Sequence, residues 1–425
     1  MRVPHRRGGL LHQLLRGRYV YVLLAVGFIC IYGLLFEISL LSSGKNAEIH
    51  QNPINDVVHQ VPMATHSSLK KPKRLSSVDY TIAVLLTNYR DSERCVSTLT
   101  SLFDNAQAPQ AIHLFLFEEI DPNGDAKNPN DASCLDGFCS KEPELCNVYR
   151  SQIDRKFRNA ADHKGPSPAR RIVEEMIPSN YFVDNKYYLS IDSRMDFVEN
   201  WDTLMLAEWK SIKNPNAILS TAPPATRSRK YPQDTTKSAL MCTSRITSKK
   251  RELAVIEFNS PVLVKPPFST PLLSSQYSES FHFGPTHALE AAPSDPNLVY
   301  TWEGITYYRA TRWWTRGYDF YSPGKPFIYQ HYVPRILHPL QTPQWNVPSP
   351  DPLAVEKMRQ VESYARMQQL YPGDTASAPY NVGTKRSYEQ WIAFSNMYPT
   401  ASYDESTDKQ FINCNPLTYV QPKSR

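Results

Sequence analysis

Apolar and polar positions follow two periodicities between residues 80 and 220, and this pattern predicts strands separated by helices. Short, continuously apolar runs predict strands at Tyr80–Leu86, Ala111–Phe117, Lys186–Ile191 and Ala217–Ser220. Apolar residues at helical spacing predict helices over Ser92–Ala106, from Pro166 onward and within Phe197–Trp209. Strands that alternate with helices favour parallel pairing and right-handed crossovers. The predicted fold class is therefore α/β, with a mostly parallel Rossmann-type sheet and flanking helices.

Two regions do not follow this alternation. Residues 118–158 are polar, and we predict a long loop there that carries three cysteines, Cys134, Cys139 and Cys146. A zinc site would need four ligands at tighter spacing, so we expect one local disulfide among these three. Beyond Pro339 the chain is rich in proline, with helices predicted near Val355–Leu370 and Ser387–Met397.

An uncharged apolar run from Tyr19 to Phe36 is, together with the residues that follow, long enough to span a bilayer. Arginines and no acids precede it, which predicts a cytosolic N-terminus. The run exceeds a typical signal-peptide core, and no small-x-small cleavage site closes it. We therefore expect one retained transmembrane helix over residues 19–41 and a lumenal domain after it.

The predicted organisation has five parts, namely a cytosolic tail (1–18), a signal-anchor helix (19–41), a lumenal stem (42–78), a folded domain (79–335) and a Pro-rich, helical extension packed on it (336–425). The net charge is only +6, and much of the excess lies near the N-terminus, so we expect no nucleic-acid partner. Six of the seven cysteines follow the predicted span, which permits disulfides in an oxidising lumen.

Polar clusters follow two of the predicted strands. Asn88–Asp91 comes after the first strand, and Asp192–Asp196 comes after the strand at Lys186–Ile191. In an open α/β sheet, ligands bind beyond the carboxyl ends of the strands, so these clusters mark a candidate site. Asp is a hard oxygen ligand suited to Mg²⁺ or Mn²⁺. On spacing alone, however, such a cluster is more often a turn or a helix cap.

Four segments in order resemble the polypeptide α-N-acetylglucosaminyltransferases that are found notably in protists. They are IAVLLTNYRDSERCVSTLTSLFDNAQAP (82–109), GPSPAR (165–170), YYLSIDSRMDFVENWD (187–202), and DPNLVYTWEGITYYRATRWWTRGYDFYSP (295–323) with IYQHY (328–332). A weaker similarity covers GTKRSYEQWIAF (383–394). The resemblance implies a GT-A-like fold, UDP-GlcNAc as donor, a divalent cation (Mn²⁺ or Mg²⁺), a polypeptide or glycoprotein acceptor, retained anomeric configuration and a Golgi or ER–Golgi membrane.

The resemblance also assigns roles to individual residues. Donor binding falls to Asn88, Tyr89, Arg90, Asp91, Gly165 and Arg170. Metal binding falls to Asp192 and His331, and Asp192 is also a catalytic candidate. The alternatives are a salt bridge at a helix start for Arg90 and Asp91, a surface position for Arg170 and ordinary packing for His331. Trp201 and Asp202 are expected to stabilise the fold. The aromatic residues Trp313, Trp314, Tyr318 and Tyr321 are expected to line an acceptor groove or to pack in the core.

Two departures from the family pattern affect the expected chemistry. The His of the family's Asp-x-His motif is Arg194 here, and a guanidinium cannot ligate a cation. The family's Gly-Glu-Glu motif reads Gly304-Ile305-Thr306. We therefore add Arg194, Glu303 and Asp319 to the catalytic candidates. Three hypotheses follow: an active transferase with altered metal dependence, a degenerate member that binds sugar nucleotide or glycoprotein and supports an active paralogue, or a transferase of the same fold with a different donor or acceptor.

Overall fold

The computed structural model describes residues 78–121, 123, 132–226, 237–247, 255–332, 354–369 and 380–423. Every described residue lies in one compact unit, within residues 70–425. The predicted transmembrane helix (19–41) and nearly all of the predicted stem lie outside the described residues. Within the described ranges, no helix combines the length and the apolar character that crossing a membrane requires.

The chain alternates between strands and helices over most of its described length. The strands are β1 (Thr81–Tyr89), β2 (Ile112–Ile120), β3 (Ile153–Asn159), β4 (Lys186–Asp192), β5 (Met195–Phe197), β6 (Ala217–Ser220), β7 (Ser238–Leu240), β8 (Thr243–Ile246), β9 (Ile256–Phe258), β10 (Val262–Val264), β11 (Leu272–Ser274), β12 (Phe281–Pro285), β13 (Asp319–Ser322), β14 (Ile328–Gln330) and β15 (Phe411–Ile412). The α-helices are α1 (Ser92–Asp104), α2 (Cys134–Lys141), α3 (Pro143–Tyr149), α4 (Pro166–Glu174), α5 (Trp201–Ser211), α6 (His287–Ala291), α7 (Ile305–Thr315), α8 (Ala354–Gln369) and α9 (Tyr388–Ser395).

A large sheet forms the centre of the fold, in the order β11-β13-β6-β12-β4-β1-β2-β3. The pairs β4-β1, β1-β2, β2-β3 and β13-β6 are parallel. Strand β12 runs antiparallel between β4 and β6, and β11 is antiparallel to β13. The predicted α/β class and mostly parallel sheet are confirmed.

The two faces of the sheet bury separate hydrophobic clusters because successive side chains of a strand point to opposite faces. Val84 of β1 lies in one cluster with Leu99 of α1 and Trp201 of α5. Leu85 lies in the other cluster, with residues of α4, α7 and α9 that include Trp313. Helices therefore cover both faces, as predicted.

Residues 118–158 contain more regular structure than the predicted loop. They carry the end of β2, helices α2 and α3, and strand β3 at the edge of the large sheet. Cys139 pairs with Cys146, which confirms the expected local disulfide. Cys134 pairs instead with Cys95 of α1 and ties this region to the first helix.

The C-terminal region packs on α7 and extends a small sheet. Trp391 and Phe394 of α9 contact Trp314, at ring-centroid separations of 5.5 and 5.0 Å. Strand β15 pairs with β8, and a disulfide joins Cys242, just before β8, to Cys414. Helices are present near both predicted C-terminal positions.

The aromatic residues of α7 belong to the core. Trp313 and Trp314 are fully buried, and Tyr318 is nearly so. These three residues therefore pack in the core, which was one of the two predicted roles, rather than lining an acceptor groove. Trp201 and Asp202 also stabilise the fold as expected, since the Asp202 carboxylate accepts hydrogen bonds from two backbone N–H groups just after α1.

Candidate active site

The carboxyl ends of β1 and β4 lie side by side at one edge of the large sheet. The strands pair in parallel, so that Thr87 lies opposite Asp192, the last residue of β4. On the other side of β1, Asn88 pairs with Glu118 of β2. The two polar clusters that follow β1 and β4 therefore meet at the edge where α/β sheets bind ligands.

The turn after β1 is fixed to the turn after β4 by the Asp91 carboxylate. This carboxylate accepts hydrogen bonds from Arg94 Nε at 2.7 Å and from the Ser193 hydroxyl at 3.3 Å. Arg94 also donates to the His331 carbonyl at 3.2 Å. The Asp91–Arg94 ion pair is a salt bridge at the start of α1, which was the alternative to donor binding for Asp91. It holds three segments of the site together.

Tyr89, at the end of β1, packs against a histidine from the connection between β3 and α4, with the two rings tilted by 30°. The ring centroids of Tyr89 and His163 lie 4.1 Å apart. His163 Nδ1 lies 2.7 Å from Glu119 of β2, which also pairs with Arg158 of β3. Glu119 was missed because residues 118–158 were predicted to form a loop, and His163 because the polar residues just before Pro166 carry no motif. An aromatic platform beside polar side chains suits a nucleobase.

Gly165 fixes the start of α4 close to the loop that precedes α7. Its φ is 110°, a value open chiefly to glycine. A Cβ at this position would lie 3.3 Å from the backbone nitrogen of Tyr300. The Tyr300 N–H donates to the carbonyl of the neighbouring Lys164 at 2.7 Å. The predicted donor role of Gly165 stays a prediction, whereas its structural role is to start the helix that presents Arg170.

Asp192 lies between two arginines. Arg170 Nη2 is 3.5 Å from Asp192 Oδ1, and Arg194 Nη2 is 3.7 Å from Oδ2. The side chain of Asp192 is 23% exposed, that of Arg194 36% and that of Arg170 12%. Arg170 is thus largely buried beside Asp192, contrary to the surface alternative, and its predicted role in donor binding stays a prediction. Two guanidinium groups thus lie at the accessible end of β4, and their N–H donors suit an anion.

A second carboxylate, Glu279, lies against the other side of Arg170. Arg170 Nε is 3.3 Å from Glu279 Oε2, so one guanidinium contacts both Glu279 and Asp192. Glu279 reaches this position because it lies two residues before β12, whose first residue pairs with Ile191. Sequence reasoning missed it because β12 was not predicted. The alternating Phe281 and Phe283 were the available signal.

Buried charges connect Glu279 to α7. Arg309 Nη2 lies 2.7 Å from Glu174, and Arg309 Nη1 lies 3.8 Å from Glu279. Burial alone would raise the pKa of Glu279, but Arg170, His282 and Arg309 together lower it below its usual range. Burial lowers the pKa of His282, whose Nε2 is 3.7 Å from Glu279. Glu279 is therefore ionised and fixes Arg170 from within the core.

The segment after β14 completes the edge. The His331 backbone N–H donates to the Arg194 carbonyl at 3.0 Å, and its Nδ1 lies 3.4 Å from Thr226 Oγ1. Burial, and then the charge of the nearby Asp192, raises the pKa of Tyr332. The structure thus brings His331 close to Arg194, as the predicted site requires.

The surroundings of Asp192 do not fit a divalent cation. Its two oxygens each face a guanidinium group, and a cation on either oxygen would meet like charge. Across the part of the chain that the structure describes, no three His, Cys, Asp or Glu side chains are grouped so as to hold a metal ion. The arginines therefore disfavour the metal-binding role predicted for Asp192, whereas that of His331 stays a prediction.

Two predicted catalytic acids are engaged elsewhere. Glu303 accepts a hydrogen bond from the Tyr364 hydroxyl at 2.9 Å. Asp319 is buried and lies 2.9 Å from Arg386. Asp319 begins β13, which runs parallel to β6 and, across the antiparallel β12, parallel to β4. It therefore lies at the amino edge of the sheet, opposite to Asp192, and this position contradicts its predicted catalytic role.

Comparison with protein families identifies the chain. The family model described as Glycosyltransferase (GlcNAc) matches residues 118–402, which is more than half of the sequence. The chain belongs to this glycosyltransferase family. The matched glycosyltransferase region includes β4, Arg170, Asp192, Arg194, Glu279 and His331. A search of curated protein sequences finds no match to this glycosyltransferase.

Solved structures resemble the glycosyltransferase at low sequence identity. GalNAc-T7, solved with UDP, GalNAc and Mn²⁺, aligns at 11% identity with a TM-score of 0.44, over 74% of this chain and 55% of its own. TarS 1–349 from S. aureus, in complex with UDP-GlcNAc, aligns at 11% identity with a TM-score of 0.33, over 68% and 72%. The mannosyltransferase PcManGT from Pyrobaculum calidifontis, with GDP-Man and Mn²⁺, aligns at 13% identity with a TM-score of 0.36, over 71% and 75%. The chain thus spans about half the length of GalNAc-T7.

Proposed function

We propose that this glycosyltransferase transfers N-acetylglucosamine from UDP-GlcNAc to a hydroxyl group of a polypeptide, on Thr, Ser or a similar residue. The observation that carries the proposal is the position of Asp192 between Arg170 and Arg194 at the carboxyl edge of β4. This is the edge where α/β sheets bind ligands. The mixed sheet with a parallel half also fits a GT-A-like fold.

The same edge offers separate places for the parts of the donor. The ring of Tyr89, which packs against His163, provides a face for the uracil base. The guanidinium groups of Arg170 and Arg194 suit the diphosphate, because arginine matches the geometry of phosphate oxygens. Asp192 orients both guanidinium groups.

In the proposed reaction, the acceptor hydroxyl oxygen forms a bond to the anomeric carbon while the bond from that carbon to the diphosphate oxygen breaks. The departing UDP carries the electron pair of the broken bond and accepts the hydroxyl proton. No side-chain base is then required, which agrees with the engagement of Glu303 and Asp319 elsewhere. Positive charge at the diphosphate lowers the barrier because negative charge develops there in the transition state.

A screen of UDP-sugars against Thr-rich peptides tests this function. We expect UDP-GlcNAc to give glycosylated peptide, detected by mass spectrometry, and Asp192→Ala to remove the product while the protein stays folded. Efficient transfer from another UDP-sugar but not from UDP-GlcNAc would overturn the donor assignment.

A second candidate function is binding of a sugar nucleotide or glycoprotein without transfer, in support of an active paralogue. Ile305 and Thr306 occupy the positions of the two acids in the family's Gly-Glu-Glu motif, and Glu303 beside them is held by Tyr364. This candidate predicts that UDP binds but that UDP-GlcNAc is neither transferred nor slowly hydrolysed. Detectable hydrolysis by the wild type that Asp192→Ala removes would exclude it.

We also propose that residues 19–41 anchor the enzyme in the Golgi or ER–Golgi membrane, with the catalytic domain in the lumen. The apolar run and the arginines that precede it support this topology. A C-terminally tagged protein should resist carbonate extraction, overlap a Golgi marker, and be protected from protease in intact vesicles. Protease digestion of the tag in intact vesicles would refute the orientation.

A further inference from the structure

The arginine pair at Asp192 has two properties that point to an anionic ligand. Arg170 and Arg194 approach different oxygens of the same carboxylate, at 3.5 and 3.7 Å. Arg194 Nε is buried, and among the described residues no acceptor lies within hydrogen-bonding geometry of it. A buried N–H donor without an acceptor is uncommon and costly. An anion at this edge would supply that acceptor.

Arg170 is held in place from within the protein. Its Nε faces Glu279, and its Nη2 faces Asp192, at 3.3 and 3.5 Å. Glu279 is in turn held by Arg309 of α7. A guanidinium that is contacted by a carboxylate on each side loses little further freedom when a ligand binds. The site is therefore organised before any ligand arrives.

We propose that Arg170 and Arg194 form a metal-independent binding site for the diphosphate of the sugar nucleotide, in which guanidinium charge takes the place of a divalent cation. The inference rests on the proposed function, because it assumes a nucleoside diphosphate donor. Arginine remains protonated at every physiological pH and binds phosphate through paired N–H donors. Arg194 also stands where the resemblance places a metal-binding His.

Titration calorimetry with UDP and UMP, in EDTA and in Mn²⁺, tests the inference on the full-length protein in detergent. We expect wild-type affinity for UDP to be the same in both buffers. Arg194→Gln should weaken UDP binding about 10- to 100-fold, as expected for loss of a charge-assisted hydrogen bond, while UMP binding changes less. A ratio of UDP to UMP affinity that Arg194→Gln leaves unchanged would overturn the proposal.

A matched control removes one positive charge from Arg171, which follows Arg170 in α4. Arg171 pairs with Glu175 at 2.8 Å on the exposed side of the helix. Arg171→Gln should leave the ratio of UDP to UMP affinity at the wild-type value. An equal change in Arg171→Gln would show that the effect is only one of net charge, and would also overturn the proposal. UMP binding by each variant reports that the protein remains folded.

Arg194→His restores the residue expected from the family pattern. UDP binding by this variant should be weak in EDTA and should recover on addition of Mn²⁺. Loss of wild-type UDP binding in EDTA with recovery in Mn²⁺ would sink the metal-independent site while leaving the proposed function intact. Absence of wild-type UDP binding in both buffers would instead sink the proposed function, and this inference with it.

Discussion

The guanidinium group of Arg386 lies 2.9 Å from the carboxylate of Asp319, and both side chains are buried. Arg386 also donates hydrogen bonds to two backbone carbonyls at the end of α7 and the start of β13, those of Trp314 and Tyr318. One side chain thus joins the C-terminal region to the large sheet. Asp319 is a structural residue for this reason.

Arg386→Met should destabilise the protein by about 3–5 kcal/mol, because it leaves the Asp319 carboxylate buried without its charged partner and with only the Asn214 amide as a side-chain donor. Urea unfolding measures the loss. Arg171→Met, at an exposed ion pair, should cost no more than about 1 kcal/mol. Equal losses in the two variants would contradict a specific role for the buried pair.

The disulfides should contribute unequally to stability. The Cys242–Cys414 bond closes a segment with a sequence separation of 172 residues, whereas Cys139–Cys146 has a separation of 7. Chain-entropy arguments give about 5 kcal/mol for the long loop and about 2 kcal/mol for the short one. The double variant Cys242→Ser/Cys414→Ser should therefore unfold at lower urea concentration than Cys139→Ser/Cys146→Ser. The reverse order would show that strain or residual unfolded-state structure dominates.

Asp192 and Glu303 should differ in their effect on activity. Asp192→Asn removes the charge that orients Arg170 and Arg194, and transfer should fall by at least about 100-fold, as for other electrostatic groups in active sites. Glu303→Gln keeps a hydrogen-bond acceptor for Tyr364 and should retain activity close to the wild type. Initial rates with a Thr-rich peptide test the difference. A similar loss of transfer activity in both variants would show that Glu303 contributes to catalysis.

Glu257 should make stability depend on pH. Burial raises the pKa of this carboxyl to about 7 from an ordinary 4.5. The Gly304 N–H lowers the pKa, the Glu303 charge raises it further, and the Arg245 charge lowers it. The folded state therefore binds a proton more tightly than the unfolded state between these values. Its stability should fall as pH rises from about 4.5 to 7, by at most about 3 kcal/mol.

Urea unfolding of the wild type and of Glu257→Gln across this range isolates the effect, because other titrating groups are shared. The free energy of unfolding of Glu257→Gln, minus that of the wild type, should increase as pH rises. Parallel curves would show that Glu257 ionises normally in the folded protein.

Sequence periodicity predicted four strands of the large sheet, β1, β2, β4 and β6, and missed its exposed edge strand β3 and the short strand β12. Strands β1 and β4 are continuous apolar runs because helices cover both of their faces. Strand β3 (IDRKFRN) lies at the edge of the sheet and is largely exposed, so its sequence lacks an apolar pattern. Strand β12 is only five residues long and ends in Gly284 and Pro285, which are atypical of a strand.

The same distinction explains which site residues were predictable. Asp91 and Asp192 follow predicted parallel strands, so topology alone brings them to one edge. Glu279 arrives there through the antiparallel β12, an arrangement that no local pattern indicates. Asp319 was chosen by residue type, but the edge at which an acid lies depends on strand direction. The Cys95–Cys134 pairing likewise depends on tertiary contacts between α1 and α2.

The interior position of β1 limits how this protein can be shortened. Strand β1 is an interior strand of the large sheet, between β2 and β4. A fragment cut to the family-matched region, residues 118–402, would lack β1, most of β2 and Cys414. One side of β4 would then expose unpaired backbone groups in an apolar surface, and Cys242 would carry a free thiol. Such a fragment would aggregate, so an expressible version must begin before Thr81 and continue past Cys414.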